Sequence, residues 1–535
     1  MPAMTCGEAV SHLLARYGVK QVFGIPGVHN LELYRGLAGA GIAHVSPRHE
    51  QGAVFMADGY ARMSRKPGVC FLITGPGVTN ALTGMAQAYN DSVPMLVIAS
   101  VNRRRELGMR DGALHEMVDQ HAAMSGAAGF AHRLLDPANL ETVIARAFAL
   151  FAAGRPRPVY IEIPVDVLEM PFDGPLAGPA TIRPPVPAPE AIEDAAEKLA
   201  RARRPLVVAG GGSVQAGAAL KALAERCGAP VILTTNARGL LPPDHPQLAD
   251  NGIMHPQAAD LLKRADLLLA VGTELGPTDF PGHSAATLGG LPSIRIDIDP
   301  AQMRRCRAGD VALVGDAAGA LAGLDAAYAN HGGRVADPGW SAEVVSTLAT
   351  LSGESARADG ADIDQMLDAL ASHPAQPVVV GDSAAPVYRG FRRYRAPQPL
   401  SWFNSATGYG TLGYGLPAAI GARLAAPHRP VVALIGDGGL QFTLAELASA
   451  RDAVADLLVI VWNNEGYVEI EQAMTQTGIK GIGVDIRPPD FEAVARAMGI
   501  GYARAEDAST LAALVEAEQF VGVRLLEVRL GPERP

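Results

Sequence analysis

The stretch from Val431 to Ile470, VVALIGDGGLQFTLAELASARDAVADLLVIVWNNEGYVEI, restricts the fold more than any other part of the chain. Val431 to Ile435 is a short, apolar, partly β-branched run ended by Gly436, the pattern of a strand buried on both faces of a parallel sheet. Leu457 to Trp462 is a second such run. Between them Thr443 to Ala450 carries apolar residues at helical spacing, with Thr443 and Glu446 placed like a capping box. A right-handed crossover makes the two strands parallel, so Asp437 and Asn464, each just past a strand end, emerge at one sheet edge, where such sheets bind ligands. One carboxylate, one amide oxygen and a backbone carbonyl near Gly466 make a hard-ligand set suited to Mg²⁺, which completes its octahedron with water and phosphate oxygens. Gly438 and Gly439 let a diphosphate approach the backbone.

The rest of the chain repeats the α/β pattern. Val22-Phe23-Gly24-Ile25-Pro26-Gly27 is a strand running into a turn, Ile42 to Val45 is another strand, and Arg48-His49-Glu50 opens a helix through Tyr60. Strands follow at Val69 to Ile73 and Met95 to Ala99. Leu168 to Glu190, rich in Pro and Gly, reads as a linker, and so does the polar, Gly-rich segment from His331 to about Ala361. Between the linkers PLVVAGGG, APVILTTNARG, ADLLLAVGTELG and SIRIDID are buried strands; the Gly210-Gly211-Gly212 turn lacks the full dinucleotide spacing and reads as a tight strand-to-helix turn. The expected fold is α/β with three doubly wound parallel-sheet domains, at 1–171, 190–330 and 361–535.

The chain has 535 residues, 48% of them hydrophobic and 19% charged, which suits several packed cores. A formal net charge of -10 argues against a nucleic-acid partner, and no run is long and apolar enough to span a bilayer. The N-terminus alternates apolar and polar residues like a mature helix rather than a signal peptide. Cys6, Cys70, Cys227 and Cys306 show no paired metal spacing and are expected as reduced thiols of a cytoplasmic protein.

GDG after one strand and NN after the next, with FGIPG, RHEQGA, ADGYAR, TGPGVTN and GYGLPAAIGA in the same order along nearly the whole chain, resembles the acetolactate synthase and 2-oxo acid decarboxylase branch of thiamine diphosphate (ThDP) enzymes. The resemblance implies that Asp437, Asn464 and the Gly466 carbonyl hold Mg²⁺ and that Glu50 contacts N1′ of the cofactor's aminopyrimidine. It also implies that the Gly410 carbonyl takes the 4′-amino group and that Leu412 wedges beneath the bent cofactor. By the same resemblance, Gly27, Asn80, Gly438, Gly439 and Tyr467 are expected to complete the cofactor contacts. Gly408 to Gly415 reads as a flexible approach loop. Two histidines are catalytic candidates: His29, after the first turn, and His115, where acetolactate synthases carry Gln. A histidine there moves protons near neutral pH and suits protonation of an enamine more than carboligation. Val28 replaces the family's acid in the first loop.

The implied reaction is ThDP- and Mg²⁺-dependent decarboxylation of a small 2-oxo acid through a C2 ylide and an enamine, releasing an aldehyde. An acetolactate synthase-like carboligase is the alternative, and a catalytically inactive regulatory paralogue a third reading. FAD is not expected, because Val271 to Pro277 lacks the arginine-rich stretch that seats flavin in acetolactate synthases. Glu50 and the GDG site come from different subunits in this family, so a homodimer is the minimum and a homotetramer the expected assembly. GIPGVHNLELYRGL, LHEMVDQ and GTELGPTD look most like decarboxylases acting on 5-guanidino-2-oxopentanoate, with Glu116, Asp119 and Glu469 as candidate guanidinium readers.

Overall fold

The computed structural model describes residues 4–249, 253, 255–280, 282–332, 335–356, 360–454 and 456–529. Three six-stranded sheets follow one another, and every strand pair in them is parallel. The first is built from β1 (Gln21–Gly24), β2 (Ala43–Val45), β3 (Gly68–Leu72), β4 (Met95–Val101), β5 (Phe130–Arg133) and β6 (Pro158–Pro164), in the order β2-β1-β3-β4-β6-β5. The second holds β7 (Pro205–Ala209), β8 (Val231–Leu233), β9 (Leu248–Ala249), β10 (Leu267–Val271), β11 (Ser293–Asp297) and β12 (Val311–Val314), ordered β12-β11-β10-β7-β8-β9. The third holds β13 (Val378–Gly381), β14 (Trp402–Asn404), β15 (Val431–Gly436), β16 (Leu457–Trp462), β17 (Gly501–Ala505) and β18 (Val523–Val528), ordered β14-β13-β15-β16-β18-β17.

Counted from its own first strand, the third sheet repeats the order of the first, whereas the middle sheet has the dinucleotide-fold order. The central strands are apolar throughout because helices cover both faces. The repeat brings together two equivalent helices, Glu50–Ser64 after β2 and Gly415–Ala425 after β14. They touch backbone to backbone. A Cβ on Gly59 would lie 1.9 Å from the Ala418 carbonyl oxygen, and one on Gly421 would lie 1.9 Å from that of Met56. Phe55, Met56, Tyr414, Ala418 and Ile420 accordingly belong to one core shared by the first and third sheets.

Two local expectations fail. Thr443 and Glu446 form no capping box, because tertiary partners take both side chains: Thr443 Oγ1 donates to the Gly413 carbonyl at 2.9 Å, and the Glu446 carboxylate accepts from the Arg48 and His49 amides. The helix expected over Thr443 to Ala450 runs Glu446–Ala453, and a separate short helix, Asp437–Phe442, precedes it. The second linker contains a helix, Trp340–Ala356, anchored where the buried Trp340 indole donates to the Pro205 carbonyl at 2.9 Å. The Gly210–Gly212 turn does pack tightly: Cβ atoms on Gly210 and Gly212 would meet the Gly272 backbone at 2.4 and 2.9 Å. Among the described residues no helix is long and apolar enough to cross a membrane, and all four cysteines are free.

Candidate active site

The sites singled out in the sequence fall into two clusters, one at the C-terminal edge of the first sheet and one at that of the third. In the first, Glu50 opens its helix with only 9% of its surface exposed, and its Oε2 accepts from Asn80 Nδ2 at 2.9 Å. Asn80 lies on the Pro76–Asp91 helix after β3. Glu446, which the sequence reading did not single out as a site residue, fixes Glu50 from behind. Its Oε1 accepts from the Arg48 and His49 amides at 3.0 and 3.1 Å, just ahead of Glu50. Burial pushes the Glu446 carboxyl up, against the lowering effect of Ser449 and of those amides. In the sequence it stood out only as the acid of a capping box with Thr443.

Gly27 is glycine because a Cβ there would lie 2.2 Å from Ile73 Cδ1, and its amide donates to Asn30 Oδ1 at 2.7 Å. His29 and His115, from the loops after β1 and β4, meet edge to face with ring centroids 5.3 Å apart. Both Nδ1 atoms are buried without a hydrogen-bond partner among the described residues. Burial, followed by the neighbouring His115, lowers the pKa of His29, so a neutral ring is favoured there. His115 has φ 61°, uncommon for a residue with a side chain, and its carbonyl oxygen backs onto Gly75, where a Cβ would approach it to 2.5 Å.

In the second cluster Gly436 pairs with Trp462, so Asp437 and Asn464 leave adjacent strands side by side. Asp437 is 1% exposed and its Oδ2 has no hydrogen-bond partner among the described residues. One terminal atom of the Asn464 amide lies 3.1 Å from both Asp437 Oδ1 and the Gly466 carbonyl oxygen. With nitrogen there it donates to both; with oxygen there, three oxygens meet at one corner, an arrangement that a hard cation stabilises. Burial pushes Asp437 up to about 6, partly offset by backbone amides, and a bound cation would reverse that shift. Among the described residues no three His, Cys, Asp or Glu side chains cluster as metal ligands, so a metal here would draw on amide and carbonyl oxygens.

Gly438 faces the Tyr467 ring, which a Cβ would approach to 2.6 Å, and Gly439 faces Asp382 Oδ2 at 3.1 Å. Asp382, fully buried after β13, is a further residue that a lone aspartate in the sequence did not reveal. It accepts from the Ser383 and Gly413 amides at 2.7 and 2.8 Å, and burial pushes it up to about 6. Gly410 has φ 76° with open space where a Cβ would be, and Leu412 is partly exposed beside it. Among the described residues no hydrogen bond joins Glu50 or Asn80 to Asp437 or Asn464.

Of the candidate guanidinium readers, Glu116 is engaged by three loop amides, Arg110, Gly112 and Ala113, at 2.7 to 3.2 Å. Asp119 caps the Gln120–Ser125 helix and pairs with Arg133 at 3.4 Å. Glu469 is exposed in the first turn of the Val468–Gln476 helix, next to the turn that holds Asn464 and Gly466.

The first and third sheets thus share one topology, and each carries a polar cluster at its strand ends. The thiamine pyrophosphate enzyme profiles match in three consecutive pieces: the N-terminal TPP binding domain at 4–123, the central domain at 192–324 and the C-terminal TPP binding domain at 382–528. The chain belongs to this family. It is 45% identical to a Pseudomonas aeruginosa protein named probable 2-ketoarginine decarboxylase AruI, over 98% of this chain and 94% of that one. Acetolactate synthase isozyme 1 large subunit of Escherichia coli is 31% identical over 99% and 94% of the two chains. The acetolactate synthase of Arthrospira platensis is 33% identical over 86% and 82%.

Proposed function

We propose that this chain is a ThDP- and Mg²⁺-dependent decarboxylase that converts a 2-oxo acid to an aldehyde and CO₂, with 5-guanidino-2-oxopentanoate (2-ketoarginine) as its substrate. The observation that carries the reading is the His29–His115 pair at the Glu50 edge, two coupled imidazoles with unpartnered Nδ1 atoms. Such a pair returns a proton to the product, the step that separates aldehyde release from carboligation. When bound, ThDP supplies the carbon nucleophile and electron sink for decarboxylation. Asp437, the Asn464 amide oxygen and the Gly466 carbonyl would hold Mg²⁺ and through it the diphosphate. Glu50, braced by Asn80 and Glu446, holds a proton on N1′. The substrate assignment draws on the relative named for 2-ketoarginine, and Glu469, exposed next to the turn that holds Asn464 and Gly466, is the candidate carboxylate for its guanidinium. Carboligation is the second reading, favoured by the acetolactate synthase relatives.

Holoenzyme incubated with a panel of 2-oxo acids is expected to release CO₂ and the guanidino aldehyde fastest from the guanidino acid, with little acyloin. Equal rates on pyruvate and the guanidino acid would end the substrate reading, and acyloin as main product would replace decarboxylase with carboligase.

The active assembly in this reading is a dimer at minimum, and a homotetramer as the fuller assembly, with the Glu50 edge of one copy facing the Asp437 edge of another. Exposed large apolar residues support it by surrounding both edges: Val28, Met109, Leu114 and Val118 at the first, Phe442, Ile470 and Ile482 at the third. Co-expressing Glu50→Gln with Asp437→Ala should restore about a quarter of wild-type activity, since half of randomly paired dimers contain one intact site of two. No recovery in isolated mixed dimers would place both residues in one chain's site. We place the enzyme in the cytoplasm, where buried free thiols such as Cys6 and Cys70 stay reduced. In this reading the central domain carries no FAD, because Val271 to Pro277 lacks the arginine-rich stretch that seats flavin in acetolactate synthases.

A further inference from the structure

The Gly408–Gly415 segment, glycine-rich enough to read as a flexible loop, is tied down on both sides of its tip, Gly410. On its leading side Thr407 Oγ1 donates to Asp91 Oδ1 at 3.0 Å. A Cβ on Gly408 would lie 3.0 Å from Asn90 Cβ and 3.2 Å from Asp91 Oδ1, so the backbone rests against the end of the Pro76–Asp91 helix. On its trailing side the Thr411 amide points to Gln87 Oε1 at 3.4 Å, the Thr411 carbonyl accepts from Ser405 Oγ at 2.7 Å, and the Gly413 amide donates to Asp382. At the tip the Gly410 amide donates to the Ser405 carbonyl at 3.0 Å, and the space where a Cβ would stand is open.

Gln87 and Asp91 are themselves locked. Gln87 is fully buried and its Nε2 donates to Asp91 Oδ2 at 2.8 Å, while Arg62 Nη2 donates to the same oxygen at 2.6 Å. Arg62, 8% exposed, also pairs with Asp58 at 2.6 Å, and Asp58 accepts from the Tyr414 hydroxyl, two residues past Leu412. Residues of the first domain therefore decide where a loop of the third domain stands.

We propose that Asp91 and Gln87 are positioning residues for the cofactor: through Thr407 and Thr411 they set the height of the loop, so that the Gly410 carbonyl and the Leu412 side chain stand where the bent cofactor meets them. The inference rests on the reading that this loop carries cofactor-facing residues. A loop left to fluctuate would lose that presentation, and ordering it would be charged against binding.

Thr407→Val removes the hydroxyl while sparing the buried Arg62–Asp91 pair. It is expected to weaken ThDP binding at saturating Mg²⁺ by about tenfold, within the range for one lost hydrogen bond. It is also expected to slow C2-proton exchange of fully loaded enzyme, read by NMR. Thr407→Ser should restore both, and Gln87→Met should act in the same direction as the valine variant. Leu412→Ala is the control for the underlying reading. Impaired binding or exchange in Leu412→Ala with wild-type behaviour in Thr407→Val and Gln87→Met overturns the positioning role alone. Equal losses in Thr407→Val and Thr407→Ser overturn it as well, because the hydroxyl would not be the cause. Wild-type binding and exchange in Leu412→Ala overturns the cofactor reading of the loop, and the positioning role with it.

Discussion

Asp437→Ala is expected to abolish Mg²⁺-dependent ThDP binding, so that calorimetric titration of this variant yields no saturable heat. The carboxylate sits almost wholly buried with one oxygen unpaired, next to an amide and a carbonyl that turn towards it. Mg²⁺ demands near-ideal octahedral geometry and takes few protein ligands, so in the proposed site the loss of Asp437, its one anionic protein ligand, would not be made up by Asn464 or Gly466. The diphosphate would then face a site without a compensating cation. Truncating one partner of a buried charge pair costs about 2 to 5 kcal/mol or more, about 30-fold to several-thousand-fold in affinity. Tight ThDP binding by the variant would remove Asp437 from the metal site.

Glu50→Gln is expected to retain the cofactor and to slow exchange of its C2 proton by about two orders of magnitude or more, the range for lost acid–base help. The amide fits the same space and can still meet Asn80, which touches Glu50 Oε2 at 2.9 Å, so the first turn of the helix persists. It cannot share a proton with N1′ as a carboxyl does. Glu446 continues to hold the Arg48 and His49 amides in the variant, which separates a chemical loss from a structural one. Exchange at the wild-type rate, measured by NMR on loaded enzyme, would remove Glu50 from the chemistry.

What the sequence made legible was local or repeated every few residues. The apolar runs of β15 and β16 and the crossover between them required Asp437 and Asn464 to share an edge, and the register of Gly436 with Trp462 places them there. The capping box failed because its residues answer to partners far along the chain: Gly413 lies 30 positions from Thr443, and Arg48 lies 398 from Glu446. Nothing in local spacing records such pairings. His29 and His115 were each visible as histidines on strand-end loops, but their edge-to-face meeting depends on β1, β3 and β4 lying in order across the first sheet. Asp382 escaped notice because its task, collecting the Ser383 and Gly413 amides, is defined only once two loops have folded. The Trp340–Ala356 helix lay in a stretch read as a linker from its polar, Gly-rich start, and its anchor is an indole bonded to a strand 135 positions away.

The contact at Gly59 and Gly421, where helix backbones touch with no side chain between them, fuses the first and third sheets of a chain into one block. Within such a block the two helices keep the Glu50 edge and the Asp437 edge of one chain at a set spacing. If the site forms between two copies, as proposed above, cofactor entry and loss would follow the parting of two subunits. Residence time of the cofactor would then shorten on dilution.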